Sequence, residues 1–192
     1  MSEISAQTNH IKDLYAEINE RRQKIVDLRK EMPAEEIKDY TLKDFEGNGV
    51  KLSSLFRDTD ELLVIHNMGK GCVYCTMWAD GFNGLWEHID DHVPFVLVSP
   101  DPPQVQKEFA SSRNWQFPIL SGHDSSFIED LGFKTEKGYY PGVSALIRKD
   151  GKIYRKTYDY FGPGDYYNAA WHLFDLLPGN TDQWVPKYSY RK

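Results

Sequence analysis

Cysteine is nearly absent: Cys72 and Cys75 are the only two in 192 residues. A scaffold stapled by several disulfides is therefore excluded, and any cysteine chemistry falls on this one pair. No apolar run approaches the roughly 20 residues that a membrane-spanning helix needs. No internal repeat and no low-complexity tract is present. A cationic surplus is missing too. The 29 acidic and 23 basic residues leave a net charge of −6, spread along the chain, which argues against unspecific binding to nucleic acid or anionic lipid. Met1 to Lys12 is polar, without the apolar core of a secretory signal. These features predict a soluble protein of a reducing cytoplasm, with neither nucleic acid nor membrane as partner. There, two cysteines three apart suit catalysis or metal binding better than a permanent staple.

What is present is an ordinary apolar content rich in aromatics, with 12 Tyr, 10 Phe and 5 Trp. The length suffices for one domain with a real core. Residues Asn9 to Glu31 read as a helix, because Ile11, Leu14, Tyr15, Ile18, Ile25 and Leu28 recur at helical spacing. Thr8 or Asn9 is positioned to cap its start, and Pro33 stops it. The stripe is thin around Arg21 and Arg22. It predicts an amphipathic helix packed on the domain, with a second subunit as the alternative surface and hence a route to an oligomer. Further on, Tyr40-Thr41-Leu42 and Val50-Lys51-Leu52 flank Glu46-Gly47-Asn48-Gly49 as in a hairpin. Ser53 to Phe56 reads as a short helical turn. Leu62 to Asn67 and Pro94 to Ser99 are continuous apolar runs, as expected of strands buried on both faces. Thr76 to His92 is helical, with interruptions at Asp80-Gly81 and Gly84. Gln104 to Arg113 and Ser125 to Leu131 are helices, Phe117 to Ser121 a strand. Gly142 to Ile147 and Lys152 to Tyr158 form a hairpin through Asp150-Gly151, and Asp165 to Leu177 is a last helix. Strands alternating with helices imply parallel pairing, and the final hairpin adds an antiparallel edge. The expected architecture is an α/β mixed central sheet covered by helices on both faces. Residues 1–33 form an N-terminal helical arm, 34–179 the domain and 180–192 an aromatic C-terminal tail.

The chemistry concentrates where the run Leu62 to His66 passes through Asn67-Met68-Gly69-Lys70-Gly71 into Cys72-Val73-Tyr74-Cys75. If the cysteines open a helix after a buried strand, the outward-pointing N–H groups of its first turn favour the thiolate of Cys72. Cys75, one turn inside, can then attack a mixed disulfide formed by Cys72. Lys70 adds positive charge nearby. Tyr74 and Trp78 form an aromatic rim or pack beneath the site. On this reading Cys72 is the nucleophile and Cys75 the resolving thiol. The partners are a disulfide-containing or oxidised small-molecule substrate and a thiol electron donor, and no cofactor is called for. A competing pattern is zinc, because Cys72-x2-Cys75-x12-His88-x3-His92 meets the spacing of a two-cysteine, two-histidine site. A continuous helix would place His88 about 20 Å from Cys75 and defeat it, whereas a break at Gly81 or Gly84 would allow the chain to fold back.

The hairpin around Gly47 and the run Phe117-Pro118-Ile119-Leu120-Ser121 also look like peroxiredoxin elements. That resemblance implies a thiol peroxidase with Cys75 as the peroxide-reactive thiol. In the P-x-x-x-T-x-x-C signature of those enzymes, Met68 then stands for the proline and Cys72 for the threonine. Gly142 falls near the place of their arginine, and His66, His123 and Arg113 are candidate polar groups. More broadly, residues 37–177 resemble the thioredoxin-like superfamily. The strings Cys72-Val73-Tyr74-Cys75-Thr76-Met77-Trp78-Ala79-Asp80-Gly81-Phe82-Asn83-Gly84, Gly142-Val143-Ser144 and Asp175-Leu176-Leu177-Pro178-Gly179 are similar to domain-of-unknown-function family 899. The resemblance implies a thioredoxin-type fold, peroxiredoxin-like in topology, and dithiol–disulfide oxidoreductase activity. Thioredoxins hold substrate beside a cis-proline facing the dithiol. Val143 occupies the matching position here, with Pro141 two residues earlier.

Overall fold

The computed structural model describes residues 3–179 and 183–190. The chain divides into two compact units between Ala34 and Glu35. The first is one helix, α1 (Glu3–Glu31). It starts earlier than its apolar spacing predicts, and neither Thr8 nor Asn9 caps it. The Thr8 hydroxyl instead donates back to the Ile4 carbonyl at 2.8 Å. Side-chain pairs one turn apart reinforce the helix, Lys24 with Glu20 at 2.7 Å and Gln23 with Asp27 at 2.9 Å. Arg29 and Lys30 suit the negative end of its dipole. No α1 residue is buried.

The second unit carries β1 (Glu35–Ile37), β2 (Thr41–Lys43), β3 (Gly49–Lys51), a 3-10 turn (Leu52–Phe56), β4 (Glu61–His66), α2 (Val73–Asn83), α3 (Trp86–His92), β5 (Phe95–Ser99), α4 (Pro103–Arg113), β6 (Ile119–Ser121), α5 (Phe127–Asp130), β7 (Lys134–Thr135), β8 (Gly138–Tyr139), β9 (Gly142–Lys149), β10 (Lys152–Tyr160) and α6 (Ala169–Phe174). Eight strands form one mixed sheet in the order β1-β10-β9-β4-β5-β6-β2-β3, while β7 and β8 make a separate hairpin. The central β4, β5 and β6 are parallel, and β9 and β2 flank them antiparallel. The strand β1 and the β7–β8 hairpin carry too few apolar residues to be read from periodicity.

Alternation along the strands divides the core between the two sheet faces. Leu62 and Val64 of β4, with Val96 and Val98 of β5, meet Leu52 and Phe56 of the 3-10 turn and Phe127 and Ile128 of α5. Ile65, Phe95 and Leu97 point the other way and pack with Trp78, Ala79 and Phe82 of α2 and Ala110 of α4. Helical elements thus cover both faces. Of the interruptions expected at Asp80-Gly81 and at Gly84, the break falls at the second. Gly81 lies inside α2, and the helix ends where the Gly84 and Leu85 N–H groups donate to carbonyls three residues back, at 3.2 and 2.9 Å. The last helix is shorter than predicted. The Asp165 carboxylate accepts from Gly162 N at 3.0 Å and Tyr167 N at 2.8 Å, holding a turn. Asn168 is the residue that caps α6, through Ala170 N at 2.9 Å. Leu173, Leu176 and Leu177 remain exposed. The predicted tail begins on residues 180–182, which lie outside the described residues. Among the described residues no helix is long and apolar enough to cross a membrane.

Candidate active site

The site is built where β4 stops. Asn67 is buried and turns the chain, its Oδ1 accepting from Gly69 N at 2.7 Å and its Nδ2 donating to the Cys75 carbonyl at 3.4 Å. Gly69 has φ +96°, a left-handed conformation that glycine adopts without strain. The Asp101 carboxylate, just beyond β5, lies against Gly69 and accepts from Lys70 N at 2.7 Å. Asn67 and Asp101, from the carboxyl ends of adjacent parallel strands, therefore hold the loop that delivers the cysteines. Sequence reasoning missed both. The available signal was a polar residue within two positions after each buried parallel strand, where α/β sheets place their sites.

Cys72 is the N-cap of α2, in extended conformation. It is joined to Cys75 by a disulfide with Cα atoms 5.2 Å apart. The Cys75 N–H donates to Cys72 Sγ at 3.1 Å. That donor and the exposed end of the helix dipole stabilise negative charge on the first sulfur once the bond is reduced. The two cysteines differ in access: Cys72 is half-buried, while Cys75 is 2 % exposed and packed with Ile65, Trp78 and Phe161.

Of the predicted supporting residues, Trp78 is buried beneath the site, with its ring centroid 5.4 Å from that of Phe161 and its indole N–H donating to Asp165 at 3.4 Å. Tyr74 is half-buried between Trp78 and Trp171, at 6.3 and 6.2 Å. Pro141 lines a narrow crevice with Cys75, Trp78, Asn67 and Phe161. All described peptide bonds are trans. Val143 sits inside β9, opposite Ile65 on one side and Asp159 on the other. Its backbone is taken up by two neighbouring strands and has no edge to offer a substrate chain, so the residue in the thioredoxin clamp position is a sheet residue here. Lys70 is exposed, and its backbone N–H is the atom that the structure ties down.

The zinc set is not assembled. His88 and His92 belong to α3, and His88 borders a surface hollow with Asn83, Trp86 and Gln116, apart from the cysteines. From Cys75 the chain runs about 12 Å along α2 to its end at Asn83 before it turns into α3. Among the described residues no three His, Cys, Asp or Glu side chains are arranged to hold a metal ion. The polar groups of the peroxidase reading are also engaged elsewhere. His66 lies on the opposite sheet face, stacked 3.6 Å from Phe133, with Nε2 2.9 Å from Ser144 Oγ. Burial, with Arg155 adding to it, pushes its imidazole down to about 3. His123 Nδ1 is 3.0 Å from the Pro100 carbonyl. Arg113 pairs with Asp80 through two nitrogens and donates to the Tyr188 carbonyl at 2.6 Å.

A mixed sheet with helical cover on both faces and a C-x-x-C disulfide at a strand-to-helix junction are the features of a thioredoxin-like fold. Within that class the chain belongs to DUF899, described as a bacterial protein of unknown function, whose family model matches residues 5–190. No curated protein matches the chain. Solved structures of similar fold include a cysteine-to-serine variant of peroxiredoxin Q from Xanthomonas campestris, 16% identical, with a TM-score of 0.57 over 70% of this chain and 89% of that one. A peroxiredoxin-like protein from Aquifex aeolicus is 18% identical, with a TM-score of 0.55 over 66% and 74%. Reduced Prx3 from Vibrio vulnificus, solved in complex with hydrogen peroxide, is 19% identical, with a TM-score of 0.55 over 76% and 100%.

Proposed function

We propose that the protein is a thiol–disulfide oxidoreductase in which Cys72 attacks and Cys75 resolves. The observation that carries this reading is the asymmetry of the pair, a half-buried N-cap sulfur that accepts the Cys75 N–H beside a sulfur that is 2 % exposed. In the reduced form the Cys72 thiolate attacks one sulfur of a substrate disulfide. A Cys72–substrate disulfide forms and the other substrate sulfur leaves as a thiolate. The Cys75 thiolate then attacks Cys72 Sγ, releasing the second substrate thiolate and closing the Cys72–Cys75 bond. The substrate gains two electrons, and a thiol donor returns the pair to the dithiol. A reducing cytoplasm supplies such donors. Substrates of small size suit a site in which Val143 has no free edge to clamp a chain.

Trapping the first intermediate tests the assignment. Cys75→Ser incubated with oxidised glutathione is expected to accumulate one glutathione on Cys72, read by intact mass, whereas Cys72→Ser reacts far more slowly. Preferential labelling of Cys75 would overturn the assignment of roles. A peroxidase reading, with Cys75 as the peroxide-reactive thiol, draws support from the peroxiredoxin-like neighbours. It predicts that Cys72→Ser still consumes hydrogen peroxide while Cys75→Ser does not.

A further inference from the structure

The unused feature of the molecule is α1. Ile4, Ile11, Ile18, Ile25 and Met32 recur every seven residues, and Leu14 and Leu28 follow Ile11 and Ile25 by three. This is the first and fourth position of a heptad, with Gln7 and Arg21 in the remaining fourth positions. All seven apolar side chains of this seam are exposed, from 43% for Leu14 to 76% for Ile4. A helix made to lie on a globular core carries a broader apolar stripe at a period of 3.6. A strict seven-residue repeat drifts by about 20° per heptad on a straight helix and stays aligned only when two helices supercoil.

We infer that α1 is a coiled-coil strand whose partner is α1 of a second copy of this chain, in a parallel, two-stranded pair. Three observations select this occupant. Isoleucine at four successive first positions, with leucine at two of the four fourth positions, favours two parallel strands. The seam is self-complementary in parallel register, where Arg21 lies level with its counterpart and each guanidinium can turn outward to Glu17 one turn back on its own helix. An antiparallel pair would instead set each Arg21 against an isoleucine. Six acidic and six basic residues between Glu3 and Glu31 leave the helix without net charge, so two copies do not repel. Across the parallel seam, Glu17 of one helix faces Arg22 of the other. Lys24, whose counterpart across the seam is the like-charged Arg29, is drawn back to Glu20 of its own helix at 2.7 Å.

The test is the solution mass and strand orientation of the full chain. Sedimentation equilibrium is expected to give twice the 22.3 kDa of one chain. The variant Ile18→Glu/Ile25→Glu, which puts two carboxylates in the seam, is expected to associate roughly a hundredfold more weakly or worse. Ile18→Val/Ile25→Val should remain a dimer. All five tryptophans lie between Trp78 and Trp184, so an unchanged near-ultraviolet circular dichroism spectrum shows that the dithiol-bearing unit of the glutamate variant is still folded. For orientation, Ile4→Cys in a Cys72→Ser/Cys75→Ser chain should cross-link to itself on mild oxidation, since an antiparallel pair holds those sites nearly 40 Å apart. A monomeric wild type, a trimer or larger, a dimer that survives the glutamate variant, or a dimer that does not cross-link at residue 4 overturns the proposal.

Discussion

Gly69 shows how one backbone position can govern the site. Its φ is +96°, and a Cβ there would meet the Asp101 carboxylate at 2.8–2.9 Å. Gly69→Ala is therefore expected to cost about 1–3 kcal/mol in urea unfolding and to slow disulfide exchange, because Lys70 N loses its fixed acceptor. Gly71→Ala, with nothing within 4 Å of the added carbon, should stay within about 0.5 kcal/mol of wild type. Equal costs at the two positions would refute this account of the loop. His66 supplies a second prediction. Its folded imidazole titrates near 3 because of burial and then Arg155, against about 6.5 when unfolded. Above the unfolded value neither state binds the proton. Below it only the unfolded chain does, so stability falls by roughly 1.4 kcal/mol per pH unit down to the folded value. Urea titrations of wild type and His66→Phe should diverge accordingly, wild type losing about 2 kcal/mol relative to the variant between pH 7 and pH 5. Parallel profiles would show that His66 is not the titrating group.

Among the elements, α2 is the one whose placement the chemistry needs. It opens on Cys72 and is fixed further along by Asp80, which accepts from Trp115 Nε1 at 2.8 Å and pairs with Arg113 at the end of α4. Asp80→Ala leaves both donors without their carboxylate, and a loss of about 1–3 kcal/mol is expected in urea unfolding. Because Arg113 also holds the Tyr188 carbonyl, hydrogen exchange around Tyr188 should accelerate in the same variant. Unchanged exchange there would show that the tail is held by other contacts. The existence of α2 and its end at Gly84 were legible, but its passage through Asp80-Gly81 was not. Asp80-Gly81 has the composition of a turn, and only the Arg113 and Trp115 donors, 33 and 35 residues away, explain why the helix runs through it. The last helix fails in the opposite direction. The periodicity of residues 165–177 is helical, yet Asp165 spends its carboxylate on a turn that includes Tyr167 and supports Trp78.

For the whole molecule, both core clusters are assembled from residues 37 onward. Removing residues 1–34 is therefore expected to leave the urea midpoint of the remaining unit unchanged within about 0.5 kcal/mol and its exchange chemistry intact. A protein that unfolds on truncation would show that α1 contributes to the fold. The order of the main strands and helices, the parallel centre and the antiparallel hairpin beside it were readable, because buried strands announce themselves by continuous apolar runs and Gly-containing turns. The edge strand β1 was not. Its Glu35-Glu36-Ile37 has no strand pattern and is a strand only because it pairs with Ile153 to Arg155 of β10.

What the sequence by itself determined is local: a C-x-x-C between a buried strand and a helix, and the alternation that makes the sheet mixed. Spacing between neighbours carries that information, because helix and strand periods act over a few residues. Tertiary structure alone decided which distant groups meet the site. It set Asp101 against Gly69, Asp165 beneath Trp78 and Pro141 beside Cys75, and it kept His88 and His92 away from the cysteines. Those choices follow from strand pairing, since β4, β5 and β9 become neighbours only when the sheet forms. Two residues that looked like ligands thus became surface groups, and two that were given no role, Asn67 and Asp101, came to hold the dithiol loop.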